Sequence, residues 1–125
     1  MATLNAQTKL TVSDIVADDI ALDVTMSPSV IAGGVTSKKL TSARATGSAL
    51  TVVEATYYAE GTVIYLRNMS SHETISVELT AGTTHLTLAP LTWTVFPWTA
   101  ATDIEVFSTA GTESPTLEVG IFSGA

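Results

Sequence analysis

Ser70, Ser71, His72 and Glu73 follow one another in the chain. A hydroxyl, an imidazole and a carboxylate are the groups of a hydrolytic triad, in which a nucleophile leans on a base that a third group orients. Triad partners normally converge from separate elements, whereas these share one turn and have no Gly-x-Ser-x-Gly elbow. The stretch therefore reads as a solvated turn. His85 opens the alternating run His85-Leu86-Thr87-Leu88 and is expected to point outward with Thr87. Two histidines without a cysteine, an HExxH pattern or an acid at ligand spacing do not make a zinc site.

Carboxylates are the other chemical resource. Asp14, Asp18, Asp19 and Asp23 are dense enough to raise calcium, but the Asp-x-Asp-x-Asp-Gly order with a terminal Glu is missing. A glycosidase needs two carboxylates across a cleft with their acidities pushed apart. Glu78 with Glu105 or Glu118 is the candidate pair, yet each falls on the polar side of an alternating run, where charge belongs in any case. Gly33-Gly34 lacks the Lys-Ser/Thr of a phosphate loop. Asn68-Met69-Ser70 matches a glycosylation sequon and reads as a chance match. The expectation is a protein that is not an enzyme, with no catalytic residue, no cofactor and no metal.

The charge points away from nucleic acid. The formal net charge is −7, and all five bases (Lys9, Lys38, Lys39, Arg44 and Arg67) lie in the first 67 residues. Glu73, Glu78, Asp103, Glu105, Glu113 and Glu118 follow unopposed. Such a surface repels phosphate backbones, so no direct contact with DNA or RNA is expected. Lys38, Lys39 and Arg44 could instead dock an acidic partner, against the plainer reading of a solvent face. No run approaches the roughly 20 apolar residues of a membrane helix. Residues 1–7 lack a basic and an apolar signal region, so no secretory signal and a product made and kept soluble are expected. With no cysteine, disulfides are excluded and the redox compartment is left open.

Whatever these groups do, strands must position them. The chain carries 22 threonines and 12 serines and is 46% hydrophobic; β-branched residues fit a pleated surface better than a helix. Alternation supports strands over Gly61–Asn68, Thr74–Thr80, Thr84–Leu88, Thr92–Phe96, Thr102–Phe107 and Pro115–Phe122. Earlier candidates are Lys9–Val12, Ala21–Met26, Val35–Ala43 and Ala49–Ala55, with Ser13–Ile20 open to either a strand or a helical turn capped by Ser13. Ala32-Gly33-Gly34 and Pro97 read as punctuation. The expectation is one all-β domain over residues 1–125, an antiparallel sandwich of 8 to 10 strands. Its order is jelly-roll-like or, alternatively, immunoglobulin-like, because one open sheet of that size would leave long unpaired edges. Residues 1–8 are polar and suggest an extended N-terminal arm.

Exposed aromatic rings are shared by interface hot spots and sugar-binding surfaces. In Thr92-Trp93-Thr94-Val95-Phe96-Pro97-Trp98, Trp93 shares a face with Val95 while Phe96 and Trp98 flank Pro97. Trp93 is expected in the core, with Phe96 and Trp98 at an interface.

The second half also resembles a family. Ile64-Tyr65-Leu66-Arg67-Asn68, Leu88-Ala89-Pro90-Leu91, Phe96-Pro97-Trp98 and Leu117-Glu118-Val119-Gly120-Ile121-Phe122 look like the "I-Y-L-x-N", "Pro … Phe-x-Trp" and "L-E-x-x-I-F" strands of the small β-sandwich virion proteins of tailed bacteriophages, the capsid decoration (cement) and fibre-type proteins. The usual glycine after the "L-x-P" turn is Leu91 here. The resemblance implies a structural protein made in the host cytoplasm. It would bind the major capsid protein on the virion exterior as a homotrimer or homodimer and bridge neighbouring capsomers. A tail, neck or fibre component is the alternative within that resemblance. A carbohydrate-binding module is the alternative of another class.

Overall fold

A computed structural model of the chain describes residues 2–3, 5–12, 20–26, 29–39, 49–58, 61–80, 82–99, 102–108 and 115–124. Its strands are β1 (Ala2–Thr3), β2 (Ala6–Val12), β3 (Ile20–Met26), β4 (Ser29–Lys39), β5 (Leu50–Val53), β6 (Thr62–Asn68), β7 (Ile75–Thr80), β8 (Thr83–Leu88), β9 (Trp93–Trp98), β10 (Ile104–Phe107) and β11 (Thr116–Gly124). A single 3-10 turn, Ala55–Tyr57, is the one helical element among the described residues. Five strands form one sheet in the order β1-β4-β11-β6-β9, and four form a second in the order β5-β10-β7-β8. β2 and β3 pair with each other as a separate two-stranded ribbon. All pairings are antiparallel.

The order β4-β11-β6-β9 set against β5-β10-β7-β8 is that of a jelly roll, two interlocked Greek keys, rather than of an immunoglobulin-like sandwich. The core lies between the two sheets. Ile64, Leu66, Trp98, Leu117 and Val119 from the first sheet meet Val53, Ile75, Val77, Leu88, Ile104 and Val106 from the second. In β7, Ile75 and Val77 are fully buried and Leu79 packs against the same cluster, as its alternation predicts.

The structure corrects the reading of β9. The strand runs on through Pro97, because β9 is the outer strand of its sheet and the missing N–H costs no ladder bond on the open side. Thr94, Phe96 and Trp98 therefore share the inner face, and Trp93, Val95 and Pro97 the outer one. Trp98 is only 6% exposed, in the core, whereas Trp93 is 48% exposed, the reverse of the expected assignment. Phe96 is half-buried against the core.

Two further expectations change. Gly33-Gly34 does not break the chain but lies inside β4, with Gly33 paired to Phe122 and Gly34 to Ile121 of β11. Glu78, expected on a wet face, is 1% exposed: one carboxylate oxygen accepts the Gly82 N–H at 2.9 Å across the β7–β8 turn. In the N-terminal segment, Ala2 and Thr3 pair with Val30 and Ser29, and Ala6, Gln7 and Thr8 with Met26, Thr25 and Val24. Asp14, Asp18, Asp19 and Arg44 lie outside the described residues, as does the Ser13–Ile20 alternative up to residue 19.

Candidate functional site

The end of the sandwich where β6 finishes is organised by Asn68. Its carboxamide is fully buried and donates to the carbonyls of Glu73 at 2.7 Å, Leu88 at 3.0 Å and Ala89 at 3.3 Å. Its side-chain oxygen accepts the Ser70 N–H at 2.9 Å, and its own N–H donates to the Thr92 carbonyl at 2.9 Å. One side chain thus ties the 69–74 loop to the 88–92 turn. With no exposed carboxamide left, the Asn-Met-Ser sequon is closed in the folded chain. Ser70 Oγ accepts the N–H groups of His72 at 3.2 Å and Glu73 at 3.0 Å, so the hydroxyl braces the turn.

The 88–92 turn carries an unusual residue. Thr92 N–H donates to the Ala89 carbonyl at 3.1 Å, with Pro90 and Leu91 between them and Leu91 at φ 61°. Proline followed by a positive φ is the type II turn pattern, whose third position suits glycine. Leucine there strains its backbone, and its side chain is 57% exposed, so it gains little from burial. A further bond from Leu91 N–H to the Ser70 carbonyl at 3.1 Å holds the turn against the neighbouring loop.

Beside Leu91, the outer face of the five-stranded sheet forms a cleft of about 400 Å³ lined by Tyr65, Arg67, Leu91 and Trp93. The register places Trp93 opposite Arg67 and Arg67 opposite Glu118, with Val95, Tyr65, Gly120 and Val35 in the next row. Tyr65 donates its hydroxyl to Glu118 Oε1 at 2.7 Å. Burial, then the hydrogen bond and negative charge of Glu118, raise the Tyr65 hydroxyl above its ordinary pKa, with Arg67 opposing. Arg67 Nε is shut off from solvent without a hydrogen-bond partner, and no ion pair to Arg67 is seen among the described residues. Gly120 leaves room for the Tyr65 ring: a Cβ there would lie 3.0 Å from Tyr65 Cβ and 3.1 Å from Phe122 Cε2.

At the opposite end of β9, Tyr58 packs its ring against Trp98 with centroids 6.2 Å apart, and Tyr57 beside it is 73% exposed. The expected docking residues are split by the fold. Lys38 and Lys39 pair with Leu117 and Thr116, at the Asn68 end of the sheet, whereas Trp98 pairs with Thr62 at the other.

Of the carboxylates weighed for acid–base chemistry, Glu78 and Glu105 stand directly opposite each other in the β7–β10 register. Glu105 accepts from Thr51 Oγ1 at 3.4 Å, and Glu78 Oε1 is buried without a partner. Glu118 lies on the other sheet, engaged by Tyr65. No group of three or more His, Asp or Glu side chains able to hold a metal occurs among the described residues. Among them, no helix is long and apolar enough to cross a membrane.

Sequence reasoning missed Leu91 and Arg67 as site residues. The signal for Leu91 was present, as proline followed by a non-glycine residue in a turn. That for Arg67 was hidden, because its neighbours come from β9 and β11. No family model matches the chain, and no curated protein matches it.

Proposed function

We propose that this chain is a non-enzymatic structural protein of a bacteriophage virion, a decoration protein that binds the major capsid protein on the outside of the shell and bridges neighbouring capsomers. The reading is carried by one observation: the three motif-bearing segments, Ile64–Asn68, Phe96–Trp98 and Leu117–Phe122, are neighbours in one sheet, on β6, β9 and β11. A jelly roll supports it by analogy, since that architecture builds viral capsid domains as well as lectins.

The shell contact assigned here is the Tyr57 end. Tyr57 is the most exposed large hydrophobic residue described and sits beside the Tyr58–Trp98 pair, which gives it a rigid base. A protein that binds only the assembled shell stabilises it by mass action, and a homotrimer or homodimer adds multivalency. The test is co-sedimentation of the purified protein with expanded capsids lacking it, followed by a heat challenge. Saturable binding that protects the particles, weakened by Tyr57→Ala, is expected. Absence of binding, or binding without protection, overturns the decoration reading; saturation at a few copies per particle reassigns the chain to the tail.

A further inference from the structure

We propose that the cleft formed by Tyr65, Arg67, Leu91 and Trp93 binds a carboxylated pyranose, a sugar ring bearing one acid group. The inference rests on the cleft alone and not on the virion reading. The cleft and Tyr57 lie toward opposite ends of β9, which at about 3.3 Å per residue is roughly 17 Å long, so a shell contact at one leaves the other open.

Four observations set the ligand's chemistry. Trp93 keeps 48% of its surface in water on a sheet face, and an exposed indole can receive the C–H face of a ring. Leu91 supplies a second apolar wall from a strained backbone position that glycine would occupy without steric cost, and its exposed side chain is outside the core cluster. A strained residue whose side chain is mostly exposed points to a role in contact. Arg67 brings a guanidinium that neighbours the Tyr65 hydroxyl and has no ion pair among the described residues; its Nε is shut off from solvent, so the outer nitrogens of the fork are what a ligand meets. A planar fork of donors matches a carboxylate. Finally, Tyr65 has committed its proton to Glu118 and its oxygen faces Arg67, so the carboxylate of Glu118 is the group left to accept from a hydroxyl.

One ligand class satisfies all four. A pyranose has an apolar face for Trp93 and Leu91 and a hydroxyl for Glu118, and its acid group pairs with Arg67. The depression is open to solvent, and its space of about 400 Å³ leaves room for one or two rings. The net charge of −7 disfavours polyanions, so the site takes a residue with a single acid group within a glycan.

The test titrates the intact protein with methyl glucuronoside, methyl glucoside and hexanoate, read by tryptophan fluorescence and by heat. The glucuronoside is expected to saturate with a Kd on the order of 1 mM, with the other two at least about tenfold weaker because each lacks one of the matched groups. Leu91→Gly should weaken glucuronoside binding severalfold while raising the melting temperature, and Arg67→Gln should abolish the preference over glucoside. No saturable binding, glucoside bound as tightly as glucuronoside, or hexanoate bound as tightly as either overturns the proposal. So does a Leu91→Gly variant that binds like the parent. Because Leu91→Gly relieves strain, misfolding does not confound it.

Discussion

The Tyr65 hydroxyl donates to Glu118 Oε1 at 2.7 Å across the β6–β11 pair, on the outer face of the five-stranded sheet. The bond has a pH signature, because burial and the Glu118 carboxylate raise the folded-state pKa of Tyr65 above the ordinary 10.0. The folded chain then holds this proton where the unfolded chain releases it. The stabilisation is complete below pH 10 and is lost as pH rises from there through the folded value. Urea midpoints from pH 8.5 to 11 should fall over that upper range in the parent. Tyr65→Phe should remove that component and cost about 1–2 kcal/mol at neutral pH. An unchanged alkaline slope in the variant refutes the assignment.

Gly120 is what allows that bond. Alanine would place its Cβ 3.0 Å from Tyr65 Cβ, a contact close to the β6 backbone that a side-chain rotation cannot relieve. Gly120→Ala should therefore cost about 1–3 kcal/mol, although glycine is normally the weaker strand residue. It should also diminish the alkaline component, since the ring is displaced from Glu118. A more stable Gly120→Ala protein contradicts this packing.

Asn68 holds two loops by four side-chain hydrogen bonds, all within buried or half-buried surroundings. Asn68→Ala leaves carbonyls that have lost their donor, at a cost of about 3 kcal/mol. Chemical denaturation reads the loss. Hydrogen exchange should show it concentrated at the Leu91 and Thr92 amides, which donate to the Ser70 and Ala89 carbonyls. Loss spread evenly over the sandwich argues against a local clamp.

Leu91 at φ 61° is strained relative to glycine. Leu91→Gly should raise stability by about 1 kcal/mol, the left-handed penalty removed less the greater entropy of an unfolded glycine. Thermal melts of the two proteins decide it; a lower melting temperature for the glycine variant means that the leucine side chain contributes packing.

Glu105 faces Glu78 across the β7–β10 ladder, and like charges directly opposite destabilise a sheet. Glu105→Gln should stabilise by about 0.2–1 kcal/mol at low salt, with the gain shrinking as added salt screens the half-exposed partner. A gain independent of salt excludes charge as its source.

The sheets were largely legible in the chain because the signal for a half-buried strand is local: Ile75, Val77 and Leu79 alternate with Ser76, Glu78 and Thr80, and β7 forms over those residues. The runs from Gly61, Thr84, Thr102 and Pro115 likewise became β6, β8, β10 and β11 within a residue or two at each start. Burial was less legible. Glu78 has the position of a wet residue, and only the β7–β8 turn, which brings the Gly82 N–H to it, makes a buried carboxylate there tolerable.

Composition and alternation by themselves determined that the chain is all-β and that its strands have an apolar and a polar side, since both depend on neighbours one or two residues away. Which tryptophan enters the core was decided by the continuation of β9 through Pro97, which an outer strand tolerates and an inner one does not. The jelly-roll order and the meeting of Tyr65, Arg67, Leu91 and Trp93 were likewise tertiary outcomes. The cleft gathers residues up to 28 positions apart, and the β4–β11 pair joins residues as far apart as Val30 and Gly124, long-range pairings that no local pattern encodes.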